Sequence, residues 1–103
     1  MTVAYLVLYE GKPRDKAAFD RYYREQHVPI LRRFPNIRAI RIHTGTRESV
    51  LYMLVEMRFD SLEHLDLALA SEARAEARRD RDKFPAFDGT IRHQTVVTED
   101  VTT

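Results

Sequence analysis

Cysteine is absent from this 103-residue chain. That excludes disulfides, thiolate nucleophiles and cysteine-based metal centres. A strong charge of either sign is also missing, since 17 Lys plus Arg stand against 16 Asp plus Glu for a net charge of +1. No basic stripe is interleaved with exposed aromatics, so no nucleic-acid partner is expected. No apolar run approaches the ~20 residues of a membrane span, so no membrane partner is expected. The first residues, Met1-Thr2-Val3-Ala4-Tyr5-Leu6, lack the basic start and cleavage signal of an export peptide. The expectation is a soluble cytoplasmic protein.

Glycine is scarce. Gly11, Gly45 and Gly89 lie far apart, which argues against a phosphate-cradling loop or a dinucleotide fingerprint. Ser49, Ser61 and Ser71 fall in turns and at helix caps, so a serine nucleophile is not expected. His27, His43, His64 and His93 form no H-x-x-x-H or H-E-x-x-H pair. His64 is expected to be exposed in the first turn of a helix. The one metal arrangement left is a site assembled by the fold from His27, His43 and His93, and no metal is expected. Nothing in the chain carries electrons, and no resident cofactor is expected. A redox role would draw on a borrowed cofactor, a partner, or an autoxidising substrate such as a hydroquinone.

What is there is patterning for a single domain spanning residues 1–103. A chain of this size buries about 60–70% of its unfolded surface, enough for one modest core. Val3 to Tyr9 is apolar on both alternating faces, as in a covered strand. Glu10-Gly11-Lys12-Pro13 reads as a turn. Asp15 is a plausible cap for a first helix that ends near Phe34, before Pro35. Asn36 opens a second strand, with Ile40, Ile42 and Thr44 on one face and Ala39, Arg41 and His43 on the other. Gly45 to Ser49 is a hairpin loop. The third strand runs from Val50 to Phe59. Leu51, Met53, Val55, Met57 and Phe59 form its apolar face; Tyr52, Leu54, Glu56 and Arg58 form a mixed one.

Asp60-Ser61-Leu62-Glu63 resembles a capping box, and Leu62, Leu65, Ala68 and Leu69 give the second helix its buried stripe. Ser71 caps a further short helix whose charged run, Arg78 to Lys83, reads as a solvated face. Phe84 to Gly89 is a loop and Ile91 to Thr98 a last strand. Residues 99–103 read as a polar tail. The order is β-α-β-β-α-β, the split-βαβ pattern of an α+β domain. The sheet is then antiparallel, with helices on one side. Its other side carries Tyr, Leu and Val and needs a cover. Two copies facing each other would supply one and enclose a lumen.

One stretch stands out. Phe19, Tyr22, Tyr23, Gln26, His27, Ile30 and Phe34 recur at steps of three and four, one face of a helix. Tyr23 and His27 sit one turn apart. Pro29 removes the donor that would have bonded the carbonyl of Glu25, so the chain bends or restarts beside His27.

The run Phe19, Tyr22-Tyr23, His27, Pro29 resembles the F-x-x-Y-Y-x-x-x-H-x-P pattern of the EthD family, named from ethyl tert-butyl ether degradation clusters. The resemblance implies a ferredoxin-like fold, an antiparallel sheet with helices that pairs into a dimeric α+β barrel. It implies a loose tie to oxidoreductase systems that degrade xenobiotics. Structural relatives of that barrel include lactone isomerases, polyketide cyclases, quinone-forming monooxygenases and haem-handling proteins.

The residues themselves offer an acid–base pocket. An imidazole titrates near ~6.5, so His27 can hold or release a proton at neutral pH. Tyr23, Tyr5 and Tyr52 can donate to a ligand oxygen, and Phe87 can line a pocket mouth. Arg41, His43 and Glu56 lie on the mixed faces. Arg41 and Glu56 read either as a cross-strand ion pair or as ligand anchors. Two readings stand. In one, the protein is a cofactor-free enzyme on a small hydrophobic or aromatic ligand, of cyclase, isomerase or oxygenase type. His27 is then the general acid/base and Tyr23 orients the carbonyl. In the other, it is a non-catalytic binding or accessory protein in which His27 anchors a helix end.

Overall fold

A computed structural model describes residues 1–102. Four strands form one antiparallel sheet in the order β2-β3-β1-β4. They are β1 (Thr2–Pro13), β2 (Ala39–Thr44), β3 (Leu51–Phe59) and β4 (Phe87–Thr98). The helices are α1 (Lys16–Tyr22), α2 (Val28–Leu31), α3 (Leu62–Leu69) and α4 (Glu72–Asp80), with a π-helical turn at Tyr23–His27 and a 3₁₀ turn at Arg81–Lys83. Among the described residues no helix is long and apolar enough to cross a membrane.

Local chemistry sets the helix starts. The Asp15 side chain accepts from the Ala18 N–H, Ser61 from His64 and Ser71 from Arg74. The α+β order read from the sequence is the order of the structure. The core lies between the helices and one face of the sheet. Val3, Tyr5 and Tyr9 of β1 and Met53, Val55, Met57 and Phe59 of β3 meet Phe19, Tyr23, Ile30, Leu31, Phe34 and Leu65.

Several boundaries differ from the sequence reading, each for a physical reason. Glu10–Pro13 is strand rather than turn, and β4 begins at Phe87 rather than Ile91. Gly11 pairs with Gly89 across β1 and β4, at φ of 131° and 157°. A Cβ on Gly11 would sit 2.1 Å from the Asp88 carbonyl oxygen. The glycines that signalled a turn and a loop instead permit close backbone approach inside a ladder. Asn36 opens no strand, because it lies in the left-handed region at φ 65°, and β2 starts at Ala39.

The register shifts between Tyr9 and Glu10, opposite Leu51 and Tyr52. This bulge exchanges the two side chains relative to the alternation read from sequence. Tyr52 packs against Phe19 and Phe87 on the helix side. Leu51 joins Leu6 and Leu54 around a hollow on the other face. The expected 99–103 tail carries no helix or strand over residues 99–102, and Thr103 lies outside the described residues.

Val55 is fully buried at the centre of β3. Val55→Ala is expected to cost on the order of 1–3 kcal/mol in a urea denaturation measurement. A loss below a few tenths of a kcal/mol would contradict the facing of this strand.

Candidate functional site

Pro29 acts on the helix as its chemistry requires. The chain widens into a π turn in which the Val28 N–H bonds the Tyr23 carbonyl, and α2 begins with Pro29 in its first turn. The wide turn buries both Tyr23 and His27, together with Val28, while Gln26 stays exposed and Tyr22 half-buried. His27 is only 4% exposed. Its ring lies 5.0 Å from that of Tyr23 and 4.7 Å from that of Phe84, which meets it edge-on.

A polar partner for the buried imidazole comes from the other end of the chain. His27 Nδ1 lies 2.8 Å from Asp80 Oδ2, in the last turn of α4. A carboxylate can only accept, so Nδ1–H donates and the ring is held in the Nδ1–H tautomer. Tyr22 donates its hydroxyl to Asp80 Oδ1 at 2.6 Å. That bond pushes the Tyr22 phenol up to about 12. Among the described residues His27 Nε2 has no protein partner, and no fully buried side-chain nitrogen or oxygen lacks one. Nε2 therefore opens onto the adjoining cavity.

That cavity holds about 220 Å³ between the helices and the sheet. Tyr5, Val7, Tyr9, Tyr23, His27, Leu31, Phe34, Met57 and His93 line it, with Arg74, Arg78 and Arg81 on the α4 side. Burial pushes the Tyr9 phenol up to about 12 and the Tyr23 phenol well above its ordinary value, so both are neutral donors. Burial pulls His27 below its ordinary value and outweighs the opposing pull of Asp80. A neutral imidazole with a free Nε2 lone pair is a base.

The sequence-predicted residues fall into three groups. Tyr5, Tyr23 and His27 line the cavity together. Tyr52 and Phe87 pack at the other end of the core, where the Tyr52 hydroxyl is bonded to Asp20. Arg41, His43 and Glu56 project from the opposite face of the sheet. There His43 Nε2 lies 2.9 Å from Glu56 Oε1 and Arg58 also approaches Glu56. Arg41 faces Glu56 in register but forms no ion pair with it. The sheet thus separates His43 from His27 and His93, and no metal-holding cluster occurs among the described residues. His64 is half-buried rather than exposed.

Sequence reasoning missed Asp80 and the three arginines, and it named His93 only as a possible metal ligand. The run Arg78 to Lys83 looked like a solvated face, yet Asp80 is 8% exposed. The available signal was Ala77, the small apolar residue on the inward side of α4. Asp80 follows it by three positions and so shares its side of the helix.

The family model of the EthD domain matches residues 12–88. No curated protein matches the chain. Among solved structures, an ethyl tert-butyl ether degradation family protein from Bacillus halodurans is 29% identical, with a TM-score of 0.83 over 96% of this chain and 100% of that one. SnoaB, a cofactor-independent oxygenase from Streptomyces nogalater, is 11% identical with a TM-score of 0.70 over 97% and 95%. A dimeric protein of unknown function with a ferredoxin-like fold from Bacteroides fragilis is 15% identical with a TM-score of 0.63 over 92% and 94%.

The two cavity histidines imply a pH dependence of stability. His27 is pulled down chiefly by burial, and His93 by burial and then by Arg81, Arg74 and Arg78. Both titrate near ~6.5 in the unfolded chain, which below that pH takes up protons the fold refuses. Stability is therefore fully present above about pH 6.5 and falls as the pH drops below it, towards the lowered folded-state values of the two imidazoles. Asp20, Asp60 and Asp88 are held below their ordinary range, so their losses begin lower. Urea midpoints measured across this window should fall with acidification, and His27→Gln should flatten the slope. A wild-type midpoint that is flat or rises on acidification would contradict the cavity electrostatics.

Proposed function

This chain belongs to the EthD family, and from that membership and the cavity geometry we propose a cofactor-free acid–base enzyme acting on a small hydrophobic ring compound. One observation carries the reading. A buried histidine, fixed by a carboxylate at Nδ1, presents an unpartnered Nε2 to a cavity that fits a small ligand. In the proposed step Nε2 takes a proton from an acidic C–H or O–H of the substrate. The electron pair stays on the substrate as an enolate or phenolate. Asp80 stabilises the imidazolium that forms, and Tyr23 donates to the substrate oxygen. Cyclisation, isomerisation and oxygenation all begin with such an anion; in the last, dioxygen is the oxidant. The cofactor-independent oxygenase of the same fold supports that third outcome. The family's tie to xenobiotic-degrading oxidation supports a substrate among catabolites of that kind, and the proposed setting is the cytoplasm.

A second reading rests on Asp80 receiving both Tyr22 and His27. The three side chains bind α1 and the π turn to the end of α4, as a structural latch does in a non-catalytic binding or accessory protein.

His27→Gln separates the two. A panel of hydroquinones, phenols and cyclic β-dicarbonyl compounds is screened for turnover and oxygen uptake with both proteins. For a general base, the fold and affinity are kept while turnover falls by about 10²–10⁴-fold. For a latch, the melting temperature falls and the surviving folded protein keeps its activity. Unchanged stability, binding and turnover would remove His27 from both readings.

A homodimer is the proposed assembly. Leu6, Leu8 and Leu54 lie half-exposed on the face of the sheet that no helix covers. A second copy would bury them. The dimeric relative of the same fold supports this pairing. Sedimentation at micromolar concentration should give about twice the 12.1 kDa chain mass. A monomer that stays folded on dilution would contradict it.

A further inference from the structure

Three arginines converge on the cavity that holds His27. Arg74 and Arg78 are one turn apart on α4, and Arg81 follows in the next turn, on the side that carries buried Ala77. Arg74 is steered inwards, with one nitrogen 3.2 Å from the Leu69 carbonyl and another 3.4 Å from the Tyr5 hydroxyl. Among the described residues none of the three is in an ion pair. The neighbouring ion pairs of this helix use Arg79 with Glu72 and Glu76 with Arg33, away from the cavity. Asp80 is the carboxylate beside the cavity, and both its oxygens are already bonded. On the opposite wall His93 lies 5.7 Å from the Tyr5 ring and is pulled down partly by all three arginines. The cavity thus has an apolar floor, two imidazoles and an uncompensated positive wall.

We propose that Arg74, Arg78 and Arg81 form an anion subsite, so that the compound bound beside His27 is a single-ring carboxylate. Three observations fix the class. Guanidinium groups match carboxylate oxygens in planar, bidentate geometry. The apolar floor of Val7, Leu31, Phe34 and Met57 requires a hydrocarbon body. The cavity, at about 220 Å³, is smaller than the ~300–1,000 Å³ of sites for drug-sized ligands, which limits that body to one ring. The subsite has a second use. An enolate or phenolate formed at Nε2 develops charge within the field of the same wall. The inference rests on the acid–base reading for its chemistry but not for its binding preference.

The probe pair is 4-hydroxybenzoate and 4-hydroxybenzamide, which differ in charge and scarcely in shape. Calorimetric titration of the full chain should show the carboxylate bound about tenfold more tightly than the amide. That preference should shrink as salt is raised. Arg78→Gln with Arg81→Gln, which leaves Arg74 alone, should cut the preference to about twofold or less, and His27→Gln should leave the preference intact. Arg78 is exposed, so its replacement is compatible with folding. The salt dependence tests the wild-type protein without any variant. Equal binding of the two ligands by the wild-type protein, a salt-independent preference, or a preference undiminished in the double variant would overturn the subsite. Inorganic phosphate displacing the carboxylate at lower concentration would overturn the carboxylate assignment in favour of a phosphate ligand. A retained carboxylate preference with no turnover would remove the acid–base reading alone.

Discussion

The hydrogen bond from His27 to Asp80 is the constraint on which the arrangement depends. It spans 53 positions of sequence and joins the π turn to the last turn of α4. Each end is placed by something local. Pro29 withholds a donor and widens the helix, which turns His27 inward. The Ser71 cap starts α4 in the register that brings Asp80 to it. A polar pair at this depth costs desolvation, and leaving a buried donor or acceptor without its partner typically costs ~1–3 kcal/mol. The bond also fixes the imidazole tautomer and leaves the second nitrogen to the cavity. One interaction thus underlies both proposed roles, latch and base, which is why the two functional readings meet at His27.

The sheet divides the molecule into two chemical compartments. The cavity with His27, Tyr23 and Tyr5 lies between helices and sheet, within one chain. Arg41, His43 and Glu56 lie across the sheet, on the face that the proposed partner copy covers. A single lumen site using both sets is not what the fold builds. In the proposed dimer the His43–Glu56 pair belongs to the interface, and each protomer keeps its own His27 cavity.

The fold was legible in the sequence because its signals are local and periodic. Alternation placed Met53, Val55, Met57 and Phe59 on the buried face, and the caps Asp15, Ser61 and Ser71 marked the helix starts. What escaped depends on partners distant in sequence. The Leu51–Tyr52 exchange follows from a bulge in the pairing with β1, and alternation along β3 alone does not contain it. Gly11 and Gly89 read as breakers because a close approach of two strands leaves no trace in either segment. Half of the site was visible, since Tyr23, His27 and Pro29 announce their geometry within seven residues. Asp80 was hidden in a charged run, where one inward position among several outward ones gives no compositional signal.

The central claim is that His27 is a neutral base whose free nitrogen is Nε2. Nitrogen-15 NMR of the imidazole at about pH 7.5 tests it directly, because the protonated and bare ring nitrogens resonate apart. The account predicts a proton on Nδ1, shared with Asp80, and a bare Nε2. A proton on Nε2, or a ring protonated at both nitrogens, would contradict it.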